Sequence, residues 1–368
     1  MTTPIIGPDE VGVLRGSVDG TERQRCCLAG FRQCNRRHGG RYWWPKRLGG
    51  LGRDRDDLGG QVPISGWAVC NLTHPALAIT ISVRADLLGE IPANDFIVRA
   101  EDYGVPQARH RVILLGIRTD LDLTPSILRR AGKSIPIEKA IGDLPRLRSG
   151  LSKEDDSGDC WLAAVRGLTQ SSALTEPSVS PALRRAIKKV MRNLNGGLRR
   201  GGEFVAGHPA PKFARNWFRD PTLKGFCNHA TRGHIRADLH RYLFAAQFAR
   251  LKNQSPSLEH FPVALLPNHV NVAKAIVGTM FNDRFRVQFR GRPSTTVTSH
   301  ISKDGHYFIH YDPAQCRSLT VREAARLQTF PDNYFFEGPR TAQYHQVGNA
   351  VPPLLAHQIA RVVHELFL

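Results

Sequence analysis

The 368-residue chain carries 51 Lys and Arg against 32 Asp and Glu, a formal net charge of +19, and is 41% hydrophobic. That is enough apolar material for one large or two ordinary domains, and the basic balance favours a polyanionic partner, because each neutralised phosphate releases condensed counterions. No run reaches the ~18 apolar residues of a membrane span, and the N-terminus lacks the basic start and apolar block of a signal peptide. The seven cysteines have no framework spacing, so the expectation is a cytoplasmic protein without a membrane partner.

Residues 1–83 are atypical. The first sixty hold twelve glycines with repeated Arg-Gly and Arg-Asp pairs, and neither a 3.6 nor a 2.0 apolar period is sustained. This predicts a Gly/Arg-rich segment that is either a disordered basic arm or an out-of-frame substitute for a folded front half. From Phe96 the pattern changes. Tyr103-Gly104-Val105-Pro106 reads as a turn, after which Gln107, Arg109 and Arg111 fall at alternate positions and are predicted to share one side of an extended segment. Val112 to Ile117 is a continuous apolar run, which predicts a strand buried on both faces. An amide and two guanidiniums at the mouth of such a strand suit a group that is anionic or rich in acceptors.

Ile137 to Ile141 reads as a short helix that Asp143-Leu144-Pro145 stops. Residues 150–180, rich in Ser, Gly and acids, read as a linker or loop. Pro181 to Leu194 predicts an amphipathic helix with Leu183, Ile187, Val190 and Leu194 inward. Its other face carries Arg184, Arg185, Lys188, Lys189 and Arg192, either a solvated face or a phosphate contact. Gly196 to Asp220 reads as irregular, and about Ala237 to Arg250 as a second helix with Leu239, Leu243 and Ala246 on one side. Cys227, His229, His234 and His240 offer one cysteine at irregular gaps, a poor zinc pattern, so no metal is predicted.

Arg292 to Thr298 followed by Ser302 to His310 predicts strand, Asp304-Gly305 hairpin, strand. Thr320 and Glu323 form a Thr-x-x-Glu capping box at the start of a helix that Pro331 ends. Gln346-Val347-Gly348-Asn349-Ala350-Val351-Pro352-Pro353 opens a closing helix with Leu355, Ile359, Val363 and Leu366 on its buried face.

Three of these strings carry a resemblance: Gln107-Ala108-Arg109-His110-Arg111 after its turn, Arg317-Ser318-Leu319-Thr320-Val321-Arg322-Glu323 through Arg326-Leu327-Gln328-Thr329-Phe330-Pro331, and Gly348-Asn349-Ala350-Val351-Pro352-Pro353. In that order they resemble the eighth, ninth and tenth motifs of the cytosine-5 DNA methyltransferases, over about residues 96–368. The resemblance implies an α/β fold, with a partial Rossmann-like methyltransferase sheet and a smaller irregular target-recognition domain, and DNA in the cleft between them. Residues 84–144 and 286–368 would be the catalytic domain and 145–285 the DNA-binding, target-recognition domain. Methyl transfer from S-adenosylmethionine to a flipped cytosine is implied, as in restriction-modification systems.

By matching position, Arg109 and Arg111 would grip the flipped nucleotide and Gln107 would order the neighbouring loop or DNA backbone. Gly348, Asn349, Ala350 and Val351 would touch the cofactor. Arg232, His234 and Arg236 are the candidates for reading double-stranded DNA, with Lys188 and Arg192 for its phosphates. The family's front half should bring a Phe-x-Gly-x-Gly-like cofactor loop, a Pro-Cys-Gln nucleophile and a Glu-Asn-Val glutamate, and none of the three occurs in this chain. Cys70 has neither the preceding Pro nor the following Gln. The expectation is therefore a methyltransferase that is incomplete and inactive alone. The alternative is a non-catalytic recognition subunit that works with a companion chain supplying the front half.

Overall fold

The computed structural model describes residues 96–268, 272 and 282–368, together with the backbone of the strands Cys26–Cys27, Trp67–Asn71 and Ala78–Thr80. The reading of residues 1–83 as an atypical arm lies, those strands apart, outside the described residues. The chain is α/β, with its strands gathered into small sheets. It divides into two compact units: Met1–Ile91 with Leu114–Ser126 and Val363–Leu368, and Pro92–Ile113 with Ile127–Val362.

In the first unit the described strands form a four-stranded antiparallel sheet, ordered Cys26–Cys27, Leu114–Arg118, Trp67–Asn71, Ala78–Thr80. The strand Leu114–Arg118 corrects one expectation. Leu115 and Ile117 are buried, but Leu114 is 42% exposed, so the strand alternates instead of burying both faces. An antiparallel strand can alternate in this way, one side inward and the other toward water.

The second unit holds two apolar cores. One gathers Trp161, Val165, Leu183, Ile187, Met191, Tyr242, Leu243 and Phe244. The other gathers Ile137, Ile141, Val297, Ile301, Val321, Leu327, Tyr344 and Val347. Helix Pro181–Asn193 forms as predicted, with Ser180 capping the Leu183 N–H; Leu183 and Ile187 are buried, but Met191 takes the inward place expected of Val190, which is half-buried. Helix Arg236–Lys252 buries Leu239, Leu243 and Ala246, but Tyr242, Phe244 and Phe248 from other faces as well.

Two stretches read as irregular are ordered. Residues 150–180 contain the helix Gly158–Arg166, capped by Ser157 at Cys160 N–H, and Trp161 within it is fully buried with its indole N–H on Ser149 Oγ at 3.1 Å. Between 196 and 220 the strand Gly201–Ala206 pairs antiparallel with Gly225–Ala230. Its Gly201 has φ +75°, and a Cβ there would stand 1.8 Å from His229 O, so only glycine fits.

The hairpin predicted over 292–310 does not form. Ser294–Thr295 is a short strand, followed by 3-10 turns at Ser299–Ser302 and His306–Phe308. The reason is local. Asp304 accepts from the His306 N–H at 2.9 Å, and Gly305 at φ +76° starts a helical turn, so Asp-Gly here opens a coil instead of reversing a strand.

Candidate functional site

The segment of Gln107, Arg109 and Arg111 is anchored in the second unit. Gly104, at φ +81°, closes the 3-10 turn Ala100–Tyr103 and delivers the chain into a two-residue strand, Gln107–Ala108, paired parallel with Ser294–Thr295. The ladder then breaks, because the Arg109 N–H turns back onto Gln107 O at 2.9 Å. Pairing resumes at His110–Val112 against Ile97–Arg99. This break overturns the single-faced arrangement: Gln107 and Arg109 are buried and Arg111 is exposed.

Gln107 is wholly internal. Its Nε2 donates to Leu327 O at 3.2 Å and Gln328 Oε1 at 3.0 Å, and its Oε1 accepts from Val297 N–H at 2.6 Å. Arg109 donates to Val297 O at 2.8 Å and Gly348 O at 3.4 Å. Burial, then the charge of Arg111, lowers its pKa to about 10, so it remains a cation at neutral pH. Arg111 is exposed, and among the described residues its side chain donates to the adjacent His110 O, at 2.7 Å.

The helix Val321–Leu327 is buried throughout. Its capping box is present in both directions: Thr320 Oγ1 accepts from Glu323 N–H at 3.2 Å, and Glu323 accepts from Thr320 N–H at 2.8 Å. Glu323 also takes two bonds from Arg317, each 2.7 Å. Burial alone would raise the Glu323 carboxyl, but Arg317 holds it well below the usual range. Arg322 donates to the carbonyls of Cys227, Pro331 and Tyr334. Arg326 is divided between Asp332 and Asp143, reaching Asp143 Oδ1 at 3.1 Å and also Ala140 O at 2.8 Å. These arginines bind the protein to itself, which no spacing in the sequence announces.

The remaining motif residues stand where helix Arg340–Asn349 ends: Gly348 and Asn349 are its last residues, and Ala350 and Val351 follow it. Gly348 is buried, and a Cβ there would stand 2.3 Å from Ser299 N. Its lack of a side chain thus lets it pack on Thr298–Ser299. Asn349 is exposed, Ala350 half-buried and Val351 54% exposed. These residues offer one exposed amide and one exposed apolar side chain.

A model of the C-5 cytosine-specific DNA methylases matches residues 95–365. The chain belongs to this family. Among its relatives, the type II methyltransferase M.Bpa9945I of Bacillus paralicheniformis is 51% identical over 142 residues, 39% of this chain and 30% of that protein. The type II methyltransferase M.DdeI of Desulfomicrobium norvegicum is 29% identical over 287 residues, 74% of this chain and 54% of that protein. The chain therefore spans about half, or less, of the length of these curated relatives. A solved structure described as a DNA modification methyltransferase encoded within an E. coli prophage aligns with a TM-score of 0.38 at 14% identity, covering 74% of this chain and 59% of that one.

The DNA-reading candidates of this methylase chain fall into two groups. Arg232 donates to Ile301 O at 2.6 Å and Lys303 O at 3.1 Å and lies over the Tyr344 ring at 4.6 Å. His234 is buried against Ser318 and Tyr242. Burial, then the charge of Arg232, holds its pKa well below the ordinary histidine value. Both residues join the middle of the chain to its C-terminal motifs. Arg236, by contrast, is exposed and ion-paired with Glu154 at 2.5 Å, while Lys188 and Arg192 are exposed on helix Pro181–Asn193.

Cys227, His229, His234 and His240 do not converge. His229 bonds Thr320 Oγ1 and Pro145 O, and His240 bonds Ala164 O. Among the described residues no group of three His, Cys, Asp or Glu is arranged to hold a metal ion, and no helix is long and apolar enough to cross a membrane. The residues whose tertiary roles sequence reasoning missed include Val297, Gln328, Asp143 and Asp332. Gln328 lies within a quoted motif string, but its partners are distant in sequence and left no local signal.

Proposed function

We propose that this chain is the base-gripping and recognition part of a DNA (cytosine-5)-methyltransferase of a restriction-modification system, acting on cytoplasmic DNA. The observation that carries the reading is the contrast between Arg109, buried and fixed by backbone carbonyls, and Arg111, exposed two residues on in the same segment. In the proposed role Arg109 fixes the geometry while Arg111 makes charge-assisted bonds to a flipped nucleotide or its phosphate.

The exposed Asn349 and Val351 would hold one side of S-adenosylmethionine, which supplies the methyl group when bound. The described residues provide no acidic or glycine-rich partner for the rest of it. A thiolate must add to cytosine carbon 6 before carbon 5 can take a methyl group, and no Pro-Cys-Gln occurs here. The chain as it stands binds and orients and does not complete the reaction. The absent motifs also support the second reading, a recognition subunit whose companion chain brings the nucleophile. If the front half was lost to a frameshift, another reading frame upstream of the Phe96 codon encodes Pro-Cys-Gln and Glu-Asn-Val. Their absence from every frame would eliminate that origin.

The test of the binding role is Arg111→Ala. Because the Arg111 side chain is exposed and, among the described residues, bonds only its neighbour His110, folding stability should move by no more than ~0.5 kcal/mol. DNA affinity should fall ~10-fold or more through the lost charged donor. Unchanged affinity would remove Arg111 from the interface.

A further inference from the structure

The two carboxamides of Gln107 and Gln328 form a continuous buried chain between the segment proposed to grip DNA and the helix end proposed to face the cofactor. Both side chains are 0% exposed. Gln328 Oε1 accepts from Gln107 Nε2 at 3.0 Å, and Gln328 Nε2 donates to Val347 O at 2.8 Å and to Ala350 O at 3.4 Å. The orientation of each amide is fixed by its partners. The Val297 N–H can only donate, so it must face Gln107 Oε1, and the Val347 carbonyl can only accept, so it must face Gln328 Nε2. Every step of the chain is therefore directional and satisfied.

Two further observations make this junction more than packing. Arg109 makes a parallel link, from Val297 O to Gly348 O, so both polar backbone atoms of Val297 are held by the Gln107-to-Arg109 segment. The residue after Gln328 is also strained. Thr329 has φ +64°, a region costly for a β-branched residue. It is kept there by a bond from Leu354 N–H to its hydroxyl at 3.0 Å and one from the Trp217 indole to its carbonyl at 2.7 Å. A turn held in a costly conformation from both sides is a turn whose position matters.

We propose that Gln328 is a positioning residue that couples DNA occupancy at the Gln107–Arg111 segment to the order of Val347–Val351, where helix Arg340–Asn349 ends. The proposal rests on the DNA-binding reading above. A shift of Gln107 by a bound nucleotide moves Gln328, and Gln328 draws the Val347 and Ala350 carbonyls with it, setting the helix end that would meet the cofactor.

Amide hydrogen exchange on the full chain, with and without sheared bacterial DNA at low salt, tests this. DNA should slow exchange of peptides covering 107–112 and, by at least ~10-fold, the scale of a typical coupling between sites, of those covering 346–352. In Gln328→Met the protection over 107–112 should remain while that over 346–352 is lost. A purely structural role would instead raise exchange over 346–352 equally with and without DNA, leaving the DNA-induced ratio unchanged, and that result overturns the proposal. So does wild-type protection confined to 107–112. Gln107→Met, which severs the same chain at its other end, serves if Gln328→Met does not fold. Absence of DNA-induced protection anywhere would overturn the DNA-binding reading itself.

Discussion

Arg326 is fully buried, with its guanidinium shared between Asp143 and Asp332. A buried charge of this kind contributes little compared with an apolar residue of the same size, but removing one partner strands the others. Arg326→Met should therefore cost on the order of 3–5 kcal/mol in denaturant unfolding, because two carboxylates lose their cation. His229 gives a pH signature. Burial lowers its folded pKa to about 4 against an ordinary value near ~6.5. A depressed histidine stays neutral in the fold while the unfolded chain takes up a proton, so its contribution is full above pH ~6.5 and is lost as pH falls toward ~4. That contribution is on the order of 3 kcal/mol, and His229→Asn should flatten the fall of the unfolding midpoint over this window. At this scale the sequence was legible where partners are near in the chain, as with Thr320 and Glu323 three residues apart. It was not legible where they are distant, as with Gln107 and Leu327, 220 residues apart.

Among the elements, those with a clean apolar period matched their reading, and those whose period was masked by composition did not. Helix Pro181–Asn193 buries Leu183, Ile187 and Met191 at successive spacings of four. Helix Gly158–Arg166 sits among Ser, Gly and acidic residues, so the stretch read as a linker although it buries Trp161 completely. Asp304-Gly305 is a turn in both readings, but the Asp304 bond to the following N–H selects a helical coil over a hairpin. The exposed face of helix Pro181–Asn193 carries the test for this scale. If Lys188 and Arg192 meet phosphates, the double substitution Lys188→Glu with Arg192→Glu should weaken binding to all duplexes about equally. It should also reduce the slope of log affinity against log salt by ~2, one per lost contact. An unchanged slope would return this face to the role of a solvated surface.

For the whole molecule, family membership was legible because three ordered motifs survive within 273 residues from Phe96 to Leu368. The physical roles within them were only partly legible, since most of the polar side chains there face the protein's own interior. What the chain holds is a hydrogen-bonded frame: Gln107 and Gln328 tie the Gln107–Arg111 segment to the motif helix and to Val347, and Arg322 and Arg326 tie that helix to the carbonyls of Cys227 and Ala140. What it does not encode is the cysteine motif that would use that frame. The direct test is transfer of labelled methyl groups from S-adenosylmethionine to duplex DNA. The purified chain alone should incorporate none above background, and incorporation should appear when a polypeptide carrying the Pro-Cys-Gln and Glu-Asn-Val half is added. Methyl transfer to cytosine by the chain alone would contradict this account.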